Sequence, residues 1–210
     1  MKILHVVHSY PPAYRIGGPA ISVSRLIFEL ERQRISENTV YATNLELNVT
    51  LEVPLKKQII LDKINVYFFP ITQINFNNSI FLKFINREFN KWYFSISLIK
   101  KLFCEIKKFD IVHIHMPFIA SSFAASIFCI LFKVPYIISY RGCLEGERLK
   151  QNYLIKKIYI NSIERFISFF AYSTHALTIK EADLLKNLFR PKNIKILPNC
   201  IDCNETSYNK

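Results

Sequence analysis

The chain has 210 residues, 28 Lys plus Arg against 16 Asp plus Glu for a net charge of +12, with half of its residues hydrophobic and 14 % aromatic. A chain of this size buries roughly 70 % of its unfolded surface, so it holds a full core without disulfides or structural metal, and its apolar content excludes disorder. The same length suits one domain, or one and a half, and is short for an enzyme that encloses its substrate between two lobes.

Short β-rich runs alternate with helical ones, which predicts an α/β fold, a single doubly wound domain with a mostly parallel sheet. The first strand is expected from Lys2 to His8, an apolar run that stops at Ser9-Tyr10-Pro11-Pro12 and is too short for a signal peptide. Gly18-Pro19 opens the first helix, with proline where its missing N–H costs nothing, and Ile21, Val23, Leu26, Ile27 and Leu30 form its buried face. A strand follows from Thr39 to Thr43. Leu45 to Lys63 has no clear period and reads as loop with a short strand, and the next strand runs from Asn65 to Phe69. Apolar residues from Phe81 to Ile106 recur in alternating steps of three and four, which predicts one long helix, or two in line, after an Asn77-Asn78-Ser79 cap. Strands are then expected at Ile111 to His115, Tyr136 to Ser139, Ala176 to Ile179 and Ile194 to Leu197. The helices between them fall at Ile119 to Phe132, Lys150 to Phe170 and Lys180 to Leu188. Continuous apolar runs such as Ile111-Val112-His113-Ile114 indicate strands covered on both faces.

The longest apolar stretch, Phe118 to Phe132, is fifteen residues, short of the roughly 20 that cross a bilayer. A cytoplasmic protein without a transmembrane helix is expected. The five cysteines, Cys104, Cys129, Cys143, Cys200 and Cys203, are an odd count without framework spacing, which fits a reducing compartment. Cys200-Ile-Asp-Cys203 has redox-motif spacing but no second pair, and reads as chance. Lys and Arg are scattered with no run of five like charges, as on solvated helix faces. Nucleic-acid binding would rest on charge alone, since no motif supports it. A different class stays open: Phe81 to Lys108 and Arg148 to Phe170 mix aromatics with Lys and Arg as interfacial helices do, so the chain could be a non-catalytic basic module at an anionic membrane surface.

In a doubly wound sheet, ligands collect outside the carboxyl ends of the strands, and three loops there carry chemistry. After the first strand, Gly17 and Gly18 stand at a helix N-terminus, where backbone N–H groups and the helix dipole favour an anion; a structural turn uses the same pair. In Asp110-Ile111-Val112-His113-Ile114-His115, alternation sets His113 and His115 on one side of a strand. His113 reads as a core histidine bonded to backbone. His115, at the rim, reads as a group that gives or takes a proton or hydrogen bond. A metal shared by the two lacks a third ligand at a helpful spacing. In Ser139-Tyr140-Arg141-Gly142, Arg141 can hold a phosphate or carboxylate bidentately and Gly142 permits the tight exit that aims it, or Arg141 bonds carbonyls of its own loop. Glu145 and Glu147 follow as sugar-hydroxyl partners or solvated acids.

These stretches resemble the N-terminal domain of family 4 glycosyltransferases, retaining enzymes of the GT-B fold that move a sugar from a nucleotide-sugar donor to an acceptor. The resemblance is carried by Met1-Lys2-Ile3-Leu4-His5-Val6 with Tyr10-Pro11-Pro12 and Gly17-Gly18-Pro19, and by Phe109 to His115. It continues through Val134 to Gly142, Ala176-Leu177-Thr178 with Glu181 to Leu185, and Ile196 to Asp202. It implies a Rossmann-like domain over residues 1–197, with the start of an interdomain hinge at 198–210 and the second, nucleotide-binding domain absent. It implies that Gly17 and Gly18 approach the donor diphosphate, that His115 lies near the reacting sugar, and that Arg141, Gly142 and Glu147 line the acceptor side. It implies no metal and no cofactor beyond the nucleotide sugar. The expected partners are a saccharide or lipid-linked acceptor, as in cell-surface polysaccharide synthesis, and possible ones a second chain carrying the other lobe and the inner face of a membrane. Two positions depart from the family pattern. Gln33 to Asn38 replaces a common Gly-His turn, and Cys200 stands where the hinge has glycine. The half-enzyme is expected to be inactive alone.

Overall fold

The computed structural model describes residues 1–47, 49–72, 92–144 and 160–199. Eight strands form one sheet: β1 (Lys2–Val6), β2 (Glu37–Thr43), β5 (Gln58–Leu61), β6 (Ile64–Phe69), β7 (Ile111–His115), β8 (Tyr136–Ser139), β9 (Ser173–Ala176) and β10 (Ile194–Ile196). Their order is β10-β9-β8-β7-β1-β2-β6-β5, and every pairing is parallel except that of β5 with β6. Around it lie α1 (Gly18–Arg32), α2 (Ile96–Glu105), α3 (Ala120–Phe132), α4 (Arg165–Phe170) and α5 (Ile179–Phe189). The doubly wound α/β expectation is met.

The two faces of the sheet differ in chemistry. On one, Leu4, Val6, Val112, Ile114 and Ile138 form a continuous apolar cluster with Leu98 and Leu102 of α2, Ala125 and Cys129 of α3, and Leu185 and Phe189 of α5. On the other, α1 covers only the β2–β6 side, setting Val23 and Ile27 against Val40, Ala42, Val66 and Phe68. Because side chains alternate along a strand, that second face continues across β1, β7, β8 and β9 as His5, His113 with His115, Ser139 and His175, all hydrogen-bonded side chain to side chain. The layer that is greasy under α1 thus turns polar at the centre of the sheet.

Several boundaries move from their expected places, each for a local reason. The run Ala176-Leu177-Thr178-Ile179 is the end of β9 followed by a helix start, because the Thr178 hydroxyl accepts from the Glu181 N–H and caps α5. The stretch read as loop with a short strand, from Leu45 to Lys63, contains that strand as β5, an antiparallel edge strand, and before it a hairpin of two-residue strands, β3 (Leu45–Glu46) with β4 (Val49–Thr50). Helix α2 starts after Ser95, whose hydroxyl accepts from the Leu98 N–H and donates to the Pro70 carbonyl. The expected cap at Asn77 to Ser79, most of the expected helix before Trp92, Glu147 and the Cys200–Cys203 pair lie outside the described residues. Replacing Ser95 by Ala removes the cap and leaves a carbonyl unmatched, and is expected to cost about 1 kcal/mol in chemical denaturation. Among the described residues, no helix is long and apolar enough to cross a membrane.

Candidate active site

The carboxyl edge is built by three loops. After β1 the chain turns through a cis Pro11–Pro12 peptide and a single 3-10 turn at Tyr14–Ile16, held by the Arg15 N–H donating to Glu46 Oε1 at 2.6 Å. Gly17 then sits at φ 81°, ψ −143°, where a side chain is strained, and caps α1; Gly18 and Pro19 are the first helical residues. Among the described residues, a Cβ placed at Gly17 or Gly18 meets nothing within 4 Å. Gly17→Ala is therefore expected to lower stability by about 1–2 kcal/mol through φ alone, without a clash, measurable as a falling thermal midpoint with unchanged circular dichroism.

The second loop follows β7. His115, read from the sequence at the rim, is its last residue but only 1 % exposed, and its Nδ1 is buried with no hydrogen-bond partner. Its Nε2 lies 3.1 Å from Nδ1 of His5, and Nε2 of His5 lies 3.1 Å from Oδ1 of Asn38. His113, expected to bond backbone, is instead 2.7 Å from the Ser139 hydroxyl, which is 2.8 Å from Nδ1 of His175. Burial is the first cause that pushes all four histidines toward the neutral form, His5 to about 4 and His113 and His115 well below the usual range. Their mutual repulsion and the Arg141 charge add to it.

Arg141, in the third loop, has φ 50° and donates through Nη1 to the Ser22 hydroxyl of α1 and to Oδ1 of Asn199, each at 2.9 Å. It is 9 % exposed. These contacts tie the β8 loop to α1 and to the segment after β10. Gly142 follows at φ 71°, and its N–H donates to Glu181 at 2.7 Å. Glu181 is a neighbour of this loop that reading the residues did not single out as a site group. Its carboxylate also accepts from the Leu177 N–H at 2.7 Å, and the Thr-x-x-Glu spacing of a helix cap was its signal.

His5, His113 and His115 each offer a nitrogen within 4.8 Å of the others, so the third ligand that spacing did not supply comes from β1. The fit to a metal is nevertheless poor. An ion lies in the plane of each imidazole at about 2.0–2.1 Å, whereas the His113 and His115 rings lie tilted against each other, centroids 3.9 Å apart and planes 33° apart, and the His5 ring is stacked on that of His115. The Arg141 cation beside them opposes an ion further.

The profile of glycosyltransferase family 4 matches residues 16–205. The chain belongs to glycosyltransferase family 4. Its fold is the Rossmann-like, mostly parallel half of the GT-B architecture. Solved structures share the fold of this family 4 chain at low identity. A UDP-GlcNAc 2-epimerase from Neisseria meningitidis bound to UDP-GlcNAc matches with a TM-score of 0.51 and 20 % identity over 92 % of this chain and 45 % of that one. A trehalose-6-phosphate protein from E. coli bound with UDP-2-fluoro glucose matches at 0.54 and 11 %, over 98 % of this chain and 50 % of that one. The UDP-N-acetylglucosamine 2-epimerase of Rickettsia bellii matches at 0.50 and 15 %, over 93 % and 44 %. The family 4 chain thus spans about half the length of these structures. No curated protein matches it.

Proposed function

We propose that this chain is the acceptor-side lobe of a glycosyltransferase that moves a sugar from a nucleotide-sugar donor to a saccharide or lipid-linked acceptor, in cell-surface polysaccharide synthesis. The observation that carries the reading is the meeting of three loops on one sheet edge, fastened by Arg141 to Ser22 of α1. In this reading the donor diphosphate approaches the N–H groups of Gly17 and Gly18, where the helix dipole favours its charge. The sugar lies toward His115, and the acceptor enters past Arg141, Gly142 and Glu147. Leaving-group charge is offset by the helix N-terminus and basic side chains, with no cofactor invoked. Among the described residues nothing lies within 4 Å of a Cβ placed at Gly17 or Gly18, and in this reading transfer needs a second lobe that closes over the donor, on the same chain or a partner. The test is turnover of nucleotide sugars by the 210-residue chain alone and together with a second lobe. None is expected alone; transfer is expected with the lobe and is lost in Arg141→Ala. Turnover by the chain alone overturns the requirement for closure, and absence of transfer across donors with the lobe present overturns the reading.

A second reading has its own observation. Phe166, Phe169, Phe170 and Tyr172 are 45–65 % exposed, and Lys192 lies 4.9 Å over the Phe169 ring. Aromatics beside cations suit the headgroup layer of an anionic membrane, which would make the protein cytoplasmic and peripheral at the inner face. The Tyr172 N–H bonds the carbonyl of Tyr136, the first residue of β8, so this patch is at the amino edge of the sheet, away from the candidate site. Flotation with anionic but not neutral liposomes, abolished by Phe169→Ser with Phe170→Ser, is the expected result; equal flotation with neutral liposomes or none with either counts against it.

A further inference from the structure

The donors and acceptors of the polar sheet face leave one consistent placement of protons. Asn38 Nδ2 lies 2.7 Å from a Glu31 carboxylate oxygen and 3.0 Å from the Ser36 carbonyl, both pure acceptors, so the amide cannot be flipped and Oδ1 faces His5. That oxygen accepts, hence His5 carries its proton on Nε2 and offers a lone pair on Nδ1. The lone pair takes the proton of His115 Nε2, which leaves His115 Nδ1 unprotonated. A second chain runs in along the same face from the β10–β9 end of the sheet. The Leu197 carbonyl accepts from His175 Nε2, so His175 Nδ1 is a lone pair that takes the Ser139 hydroxyl proton. The Ser139 oxygen in turn accepts from His113 Nε2, leaving His113 Nδ1 unprotonated as well.

Two proton-ordered chains, begun by groups on different elements, therefore end on neighbouring rings, each with an unprotonated Nδ1. We infer that Glu31, Asn38 and His5 on one side, and His175 and Ser139 on the other, are positioning residues that hold His115 and His113 as hydrogen-bond acceptors for sugar hydroxyl groups. This rests on the reading of the edge as a sugar-transfer site and sharpens it, because an acceptor-only pair cannot bind the donor diphosphate, which has no proton to give near neutral pH. A neutral O–H donor fits. A cation is opposed by Arg141, and an anion finds no N–H at either Nδ1.

Long-range proton–nitrogen spectra of the histidine-labelled 210-residue chain at pH 7.5 read each tautomer directly, without needing any transfer activity. Pyridine-type Nδ1 and pyrrole-type Nε2 are expected for both His113 and His115; a pyrrole-type Nδ1 on either ring overturns the proposal. In Asn38→Ala, His5 and His115 are expected to become tautomer mixtures while His113 keeps its form. In Ser139→Ala, His113 changes and His115 does not. An unchanged His115 tautomer in Asn38→Ala removes the positioning role of that chain, and if that variant does not fold, the wild-type spectrum and Ser139→Ala still decide. Titration with a panel of free hexoses is expected to move the Nδ1 signals, and inorganic phosphate is not. Movement with phosphate, or with no hexose, overturns the ligand assignment, and leaves the transfer reading to its own assay.

Discussion

Between pH 7 and pH 5 the chain is expected to lose most of its stability and unfold cooperatively, well above the range where carboxylates protonate. All five of its histidines, His5, His8, His113, His115 and His175, are driven toward the neutral form, burial being the leading cause at each. For His5 and His8 the folded value is about 4, against 6.5 for the free side chain. In that window the unfolded chain binds protons that the folded chain refuses, so stability falls as pH drops below 6.5 and levels only once the folded form also protonates, near 4. At pH 5 each of these two contributes about 2 kcal/mol of destabilisation. Their joint effect of about 4 kcal/mol is already a large part of the 5–15 kcal/mol typical of a domain, before His113 and His115 are counted. Urea midpoints across this pH range measure it. His8→Phe, which keeps an apolar ring beside the Tyr93 edge at 5.4 Å, should flatten the slope by about one proton. A midpoint constant from pH 7 to 5 would show that the cluster is hydrated and charged in the folded state.

That sensitivity has no trace in any local stretch of the sequence, while the fold around it does. The strands at Ile111–His115 and Tyr136–Ser139 were legible to the residue, because each is a short β-rich run bounded by turn residues. The start of α1 was legible from Gly-Pro chemistry, which is local. Where two elements share one apolar run, as at Ala176 to Ile179, composition does not mark the crossing, and a single hydroxyl on Thr178 decides it. A short strand was expected between Leu45 and Lys63, but the place of the edge strand β5 was not given, for another reason. Only one neighbour pairs with it, so its alternation is weak, half-buried residues alternating with exposed ones over four positions.

The site shows the same division. Gly17, His115 and Arg141 were visible because each stands at the end of a strand or the start of a helix, where the doubly wound topology collects ligands. Their supports were not. His5 meets His115 across 110 residues, and Arg141 meets Ser22 across 119. Such pairs have no spacing to find. They exist because β1 lies between β2 and β7 in the sheet, so that Asn38, His5 and His115 come from adjacent strands on one face. The expectation of an ordinary core histidine at His113 was half right. The ring is held, but by the Ser139 hydroxyl rather than backbone, and a side-chain partner leaves the proton order of the whole row to be set from its ends.

Glu181→Ala is expected to be the most damaging single substitution at the edge, larger than the loss of any one loop residue. The side chain is 1 % exposed, and its two carboxylate oxygens accept from backbone N–H groups of different loops, Gly142 and Leu177, each at 2.7 Å. Removing it strands both donors in the interior. It also frees a turn in which Arg141 holds φ 50°, a conformation that a non-glycine residue keeps only when surroundings enforce it. Charge-assisted bonds of this kind put the loss at about 3 kcal/mol, a drop of about 9 °C in thermal midpoint for a chain of this length. Glu181→Gln separates the causes. It keeps the volume but turns an N–H₂ toward one of the two N–H groups, so it should lose nearly as much as the alanine; a glutamine variant as stable as the parent would mean that packing, not acceptance, is what Glu181 supplies. Because Arg141 reaches Ser22 and Asn199 from the same turn, the damage should spread. Protection from hydrogen exchange is expected to fall at the start of α1 and at Leu177 together, while β2 and β6, packed on the far side of the sheet under α1, keep theirs.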